Sequence, residues 1–328
     1  MTVGLILVLL LVLAAEFTNG LSDAANAIAT VVGTRVLTPA KAVIMAAVLN
    51  LVGVLVTGAA VAATIGKGIV RSEAITLETL AAAMVTVVVW TMAAWFFGIP
   101  TSETHELLAG LAGAGLATAG PSVLLWDGWR KVLIGLGVST IVGFGLAFLL
   151  MLLVYWLFRR VHRARSMRVF GRLQVLSAAF MAFSHGSNDG QKFMGVFAAA
   201  LVAGGVLDTF RVPVWVMLLC GAVMGLGTFL GGWRIIKTMG TRVTRLEPPQ
   251  GFAAETAAGL AIIVSSRFGI PLSTTHTIGT AIMGVGATRR FSAVNWGVSR
   301  QIVMTWVLTF PACLVLGALF ALLFKVVL

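Results

Sequence analysis

Ten apolar stretches run along the chain, at about 3–34, 42–65, 74–98, 101–120, 131–158, 173–205, 213–233, 252–270, 272–287 and 297–328, separated by short polar interruptions. A helix needs about 20 apolar residues to cross a bilayer, and most of these stretches approach or exceed that length. The pattern predicts an all-α polytopic membrane protein. Between the fifth and sixth stretches lies the most polar segment, with Arg159, Arg160, His162, Arg163, Arg165, Arg168 and Arg172. Read as a basic loop, it divides the chain into a first transmembrane repeat (1–158), a basic cytoplasmic linker (159–172) and a second transmembrane repeat (173–328).

Polar residues inside the apolar stretches recur between the halves. Gly20-Leu21-Ser22-Asp23 is answered by Gly186-Ser187-Asn188-Asp189, an offset of 166 from Asp23 to Asp189. Pro100-Thr101-Ser102-Glu103-Thr104-His105 is answered by Pro271-Leu272-Ser273-Thr274-Thr275-His276, an offset of 171. Two unrelated motifs at nearly one offset imply an internal duplication. The first motif interrupts a long apolar stretch in each half, over Glu16–Asp23 and Ser184–Lys192. Unwound backbone survives in hydrocarbon only where protein encloses it, and paired interruptions point to the midplane site of a carrier; a broken helix is expected at each. The second motif sits between apolar arms too closely spaced for an ordinary loop, which predicts two re-entrant hairpins with Pro-x-Ser-x-Thr-His at their tips.

Charge adds an orientation. Counting each long helix as one crossing and each hairpin as none gives three crossings per half, so the repeats are expected to be inverted. With both termini outside, fifteen Lys and Arg fall on the inner side and six (Lys67, Arg71, Arg130, Lys131, Arg211 and Lys325) on the outer, as the positive-inside rule requires. The net charge of +12 is thereby read as topology rather than as a nucleic-acid surface. Composition, 59% apolar and 10% charged with mean hydropathy +1.03, excludes most soluble folds. Cys220 and Cys313 lie inside apolar runs and offer no disulfide framework or metal-ligand spacing. The run Met1–Ala15 has no basic leader and continues into a polar motif, so it is read as mature membrane segment.

Carboxylates inside such stretches are costly and are functional candidates by default: Glu16, Asp23, Glu103, Glu106, Asp189 and Glu255, with Asp23 and Asp189 foremost because their motif is duplicated. A single Ser-x-Thr would serve as a helix cap. Two copies on opposed hairpins would bring hydroxyls, backbone N–H groups and helix N-termini to one cavity, which suits an anion, and neutral donors suit one that must also leave. His105, His185 and His276 fall within the motifs and are read as hydrogen-bonding or proton-linked groups; the sequence has no His-x-x-x-His spacing for a metal centre and no Gly-x-Ser-x-Gly nucleophile. The reading is a transporter, not an enzyme, with no cofactor or resident metal; a hydrolase of phosphorylated lipid headgroups and a passive channel are the alternatives of other classes.

At these residues the sequence resembles the inorganic phosphate transporter (PiT) family of secondary carriers. The family's duplicated Gly-Ala-Asn-Asp-x-Ala-Asn-Ala signature corresponds to Gly20–Ala27 and Gly186–Phe193, and each half has its Pro-x-Ser-x-Thr-His hairpin. The resemblance implies inverted repeats with broken helices, alternating access and symport with H⁺ or Na⁺ in the cell's inner membrane, homo-oligomerisation being left open. It implies phosphate contacts at Thr101, Ser102, Thr104, Ser273, Thr274 and Thr275, with Asp23 and Asp189. It also implies coupling-ion roles for Asp23, Asn26, Asn188, Asp189 and Lys192, with Glu103 and the three histidines in support. The pattern His-Gly-Ser-Asn-Asp-Gly-Gln-Lys resembles the bacterial low-affinity, proton-coupled branch, which takes phosphate partly as metal-phosphate. Two departures stand out: Ser22 replaces the first motif's Asn, and Gln191-Lys192 replace Ala-Asn in the second. An ammonium at Lys192 would stand where sodium-coupled members offer a neutral oxygen, which favours protons as the coupling ion; a sodium-coupled carrier and a sulfate permease of the same family remain the alternatives. Phosphate can donate a hydrogen bond to a carboxylate and sulfate cannot, so two facing aspartates favour phosphate.

Overall fold

The computed structural model describes residues 2–327, which are almost wholly helical. The first half contains α1 (Val3–Gly33), α2 (Pro39–Val56), α3 (Ala60–Gly68), α4 (Leu77–Phe97), α5 (Glu103–Ala119), α6 (Trp126–Gly137) and α7 (Gly143–Phe158), the last two joined by a π-helical turn. The second contains α8 (Arg163–Ala203), α9 (Val214–Leu230), α10 (Trp233–Lys237), α11 (Pro248–Arg267), α12 (Thr274–Ala287) and α13 (Trp296–Val327). Among the described residues, five segments, α1, α2, α4, α6–α7 and α13, are long and apolar enough to cross a membrane, and the bent pair of α9 with the segment 233–242 makes a sixth.

Two expectations are corrected. The motif helices are not broken: α1 runs 31 residues and α8 runs 41 residues straight through Asp23 and Asp189. The reason is that the motif's polar side chains find partners on neighbouring elements, so the i→i−4 main-chain ladder never has to open. The breaks lie instead in the next apolar stretch of each half. Gly58, at φ +81°, separates α2 from α3, and Gly231, at φ +68°, precedes a 63° bend into α10. The basic segment is likewise mostly helix, since α8 starts at Arg163 with the His162 ring accepting from the Ala164 N–H and leaves only 159–162 as a connection.

The two halves interleave. Motif helix α1 packs on α9 of the other half, and its counterpart α8 packs on α2. Both crossings are made by glycine: a Cβ on Gly20 would strike the carbonyl oxygen of Met224, and one on Gly186 that of Asn50. The hairpins follow suit, with Gly113 of α5 against the backbone of α13 and Gly284 of α12 against the backbone of α7. Without lipid-excluded hydrophobic force between helices, such close backbone approach is what holds membrane bundles together.

Replacing Gly20 or Gly186 by Ala should therefore lower stability by about 2 kcal/mol, since added methyl groups in a packed contact cost roughly 1–3 kcal/mol. Gly145→Ala, in α7 with nothing near its Cβ position, should be neutral or stabilising by up to about 1 kcal/mol. Thermal unfolding of the purified protein in detergent checks both, and equal shifts would contradict the packing argument.

Candidate functional site

Each hairpin tip is built by the same short sequence, Gly-Ile-Pro-x-Ser. Gly98 (φ +68°) and Gly269 (φ +65°) adopt the left-handed conformation that ends α4 and α11, with Ile99 N–H and Ile270 N–H returning 3.0 Å bonds to Ala94 and Ser265 carbonyls. Glycine takes this conformation without strain, and Pro100 and Pro271 prevent the helix from resuming. Ser102 and Ser273 then cap α5 and α12, their Oγ atoms accepting from His105 N–H (3.4 Å) and His276 N–H (3.2 Å). The two serines thus serve as caps. The threonines around them point to the centre.

There the two tips meet both motif helices. Lys192, 1% exposed, donates from Nζ to Asp189 Oδ1 (2.7 Å) and to Thr104 Oγ1 (2.6 Å), and Thr104 donates in turn to the Leu272 carbonyl of the other hairpin (2.7 Å). Thr274 donates to Asp189 Oδ2 (2.8 Å). Asn26 Nδ2 donates to Thr275 Oγ1 (2.9 Å) and Thr274 Oγ1 (3.2 Å), and Thr275 donates to Asp23 Oδ1 (3.3 Å). The structure thus joins Asp23, Asn26, Thr104, Asp189, Lys192, Thr274 and Thr275 in one buried network. The set offers hydroxyl, amide and ammonium donors beside carboxylate acceptors, a combination able to hold a partly protonated oxyanion.

The remaining predicted residues lie around this network. Both Glu103 oxygens and Thr101 Oγ1 are buried without a hydrogen-bond partner among the described residues. His185 sits between Asp189 Oδ2 (3.5 Å) and Asn50 Oδ1 (3.2 Å). His105 and His276 meet edge to face at 4.7 Å, one from each hairpin, and His276 stacks on Trp306 at 3.9 Å. Asn188 faces away, donating to Ser266 Oγ (2.8 Å) and so fixing α8 to α11. Sequence reasoning found no metal-like cluster, yet Asp23, His185 and Asp189 bring one ligand atom each within 4.8 Å of one another; the only clue was that His185 and Asp189 stand four apart on one helix.

Other polar contacts were not anticipated. Asn50, the single amide in the second apolar stretch, bonds His185 and Thr228 (3.3 Å). Gln191 accepts from the Val61 N–H (2.9 Å) and so holds the start of α3 to α8. Glu255 receives hydrogen bonds from Thr30 (2.6 Å), Gln174 (3.1 Å) and Ser177, tying α1, α8 and α11. Glu106 accepts from Thr91 across the first hairpin.

An interleaved helical bundle with a buried polar site between two hairpin tips is the architecture of a membrane carrier. Comparison with known proteins specifies which. A model of the "Phosphate transporter family" matches residues 19–317. A probable low-affinity inorganic phosphate transporter of Rhizobium meliloti (strain 1021) is 46% identical over 318 residues, covering 97% of this chain and 94% of the relative. One of the same description from Bacillus subtilis (strain 168) is 40% identical, covering 96% and 95%. Among solved structures, that of a protein described as "The sodium-dependent phosphate transporter" superposes with a TM-score of 0.92 at 25% identity over 100% of both chains. The chain belongs to the phosphate transporter family and is a transporter, not an enzyme.

Because removing one partner of a buried ion pair strands the other charge at a cost of roughly 3–5 kcal/mol, Lys192→Met and Asp189→Asn should each lower the melting temperature strongly. The double variant should recover much of the loss. A double variant no more stable than the worse single one would show that the pair is not the unit assumed.

Proposed function

We propose that the protein imports inorganic phosphate by symport with H⁺ through alternating access, with both termini outside and the two repeats inverted. The observation that carries this reading is Lys192, whose ammonium is held between Asp189 and Thr104 at the meeting of the two hairpins. A resident cation there supplies the charge that a bound sodium would bring, so the ion that travels with phosphate is a proton. Thr104, Thr274, Thr275 and Asn26 are the donors to phosphate oxygens once their mutual bonds are exchanged. Asp23 and Asp189 accept from the phosphate P–OH, which selects against sulfate, and Thr101, buried on the first tip, is a further donor. Glu103 and the histidines are the groups through which a proton is passed.

Sodium coupling is the second reading. Two observations favour it: the likeness to a transporter described as sodium-dependent, and the convergence of Asp23, His185 and Asp189 within 4.8 Å. The 15-to-6 division of basic residues supports the orientation.

Radiolabelled phosphate uptake into proteoliposomes, with proton and sodium gradients imposed separately and sulfate as competitor, is the direct test. Accumulation driven by the proton gradient alone and resistant to sulfate is expected. Strict sodium dependence would refute the role given to Lys192, and uptake that never exceeds equilibrium under either gradient would refute symport. Asp23→Asn should cut uptake by about one to two orders of magnitude if it removes a hydrogen bond made to charged ligand and ion together, at roughly 1.5–3 kcal/mol. Lys192→Asn should acquire sodium dependence.

A further inference from the structure

Two cavities outside the central network are counterparts under the internal duplication. One, of about 450 Å³, lies between α3 and the start of α6 and is rimmed by Lys67, Lys131 and Asp127. The other, of about 750 Å³, lies between the segment 233–242 and the start of α13 and is rimmed by Arg242 and Arg300, with no carboxylate among the described residues lining it. Lys67, Lys131, Arg242 and Arg300 are all exposed, and the Lys67 ammonium is steadied over the Phe210 ring at 5.6 Å.

Each cavity ends on one hydrogen bond to a hairpin tip. Thr64, buried in the wall of the first, donates to the carbonyl of Gly269 (2.7 Å). Thr238, buried in the wall of the second, donates to the carbonyl of Gly98 (3.0 Å). The threonine belongs in each case to one half and the glycine to the hairpin of the other. Both glycines are the left-handed residues that end the hairpin's first arm, and both approach closely: a Cβ at Gly269 would lie 2.9 Å from the Ala60 carbonyl oxygen, and one at Gly98 2.9 Å from Arg234 Cβ. In the second cavity the tip itself, Gly98, Ile99 and Pro100, forms part of the lining; in the first the tip lies behind the wall at Ala60 and Thr64, and in each the threonine hydroxyl tethers it there. Three residues beyond each glycine, past Ile-Pro, come Thr101 (1% exposed) and Leu272 (0%), and then the central network.

We propose that these cavities are two anion vestibules, one on each face of the membrane, which recruit the tetrahedral oxyanion through Lys67 and Lys131 or through Arg242 and Arg300, and that the Thr64–Gly269 and Thr238–Gly98 hydrogen bonds are the latches closing them. The anion's identity rests on the phosphate reading above; the latches do not. Cationic rims raise the local concentration of an anion and its rate of arrival, an effect that falls with ionic strength. A single neutral hydrogen bond, worth about 1 kcal/mol net, holds a tip shut and releases it readily. With both latches formed, the central network is closed to both faces.

Single cysteines at Leu272→Cys and Thr101→Cys, in a Cys220→Ala/Cys313→Ala background, report access to a membrane-impermeant thiol reagent applied to either face of oriented vesicles. Thr64→Val should raise labelling at position 272 several-fold from the Lys67 face alone, and Thr238→Val should do so at position 101 from the Arg242 face alone. Thr64→Ser, which keeps the donor, should label at the parent rate and separates a lost latch from a misfolded wall. Unchanged rates, or a rise from both faces, would overturn the latches whatever the substrate. Lys67→Gln/Lys131→Gln should raise the KM for phosphate roughly 3- to 10-fold at low salt with kcat unchanged, a difference that shrinks as salt is added. An unchanged KM would overturn the vestibule assignment while leaving the phosphate reading intact.

Discussion

A lysine ammonium inside a membrane bundle has to be paired, and the rest of the central structure follows from how Lys192 is paired. Asp189, three residues earlier on the same helix, supplies the counter-charge, and Thr104 of the first hairpin supplies the remaining acceptor. The α8 helix satisfies its own backbone groups within the segment, and Asp189 finds its partners, Lys192 and Thr274 of the second hairpin, without the helix opening. The pair also fixes where the hairpins go. Thr104 reaches Lys192 and Thr274 reaches Asp189, so one ion pair gathers both tips, and Asn26 and Asp23 of α1 close the network from the other side.

The halves depend on one another as well as repeating one another. The motif helix of each half lies against a helix of the other through a glycine, at Gly20 and at Gly186, and each hairpin tip is tethered by a threonine of the opposite half. Neither 1–158 nor 173–328 contains its own central site: Asp23 and Asn26 come from the first, while Asp189, Lys192, Thr274 and Thr275 come from the second. The two segments share two motifs in sequence and form one body in structure.

Much of this was legible beforehand. The hairpins were readable because Gly, Pro and Ser are local devices: each fixes backbone geometry within three residues, so Gly98-Ile99-Pro100-Thr101-Ser102 states its own shape. The members of the buried network stood out because polar groups in hydrocarbon are rare and their motifs occur twice. The supposed helix breaks at Glu16–Asp23 and Ser184–Lys192 were not, since the local sequence shows a polar cluster but not the distant Thr274, Thr275 and Thr104 that satisfy it. Asn50 and Gln191 escaped for the same reason, because their partners, His185 and the Val61 N–H, lie more than a hundred residues away. Ser102 and Ser273 carry a second function that their motif also encodes: both oxygens accept a backbone N–H as helix caps, which leaves each O–H free to donate.

The arrangement of charge also bears on what travels with the anion. Lys192 and Asp189 offset one another, so the pair itself presents no lasting excess of positive charge that would trap a phosphate. Two further carboxylates stand close by: Asp23, which accepts from Thr275, and Glu103, which accepts from none of the described residues. An oxyanion seated among the hairpin threonines would face both, and repulsion at that distance in a medium of low polarity is too large to leave uncompensated. On the proposed reading the compensation is a proton, which Asp23 or the phosphate itself can carry as the hydrogen of a P–OH···carboxylate bond. On that reading, when the hydrogen is the phosphate's own and Asp23 accepts it, it both neutralises charge and distinguishes phosphate from sulfate, so selectivity and coupling would come from one interaction.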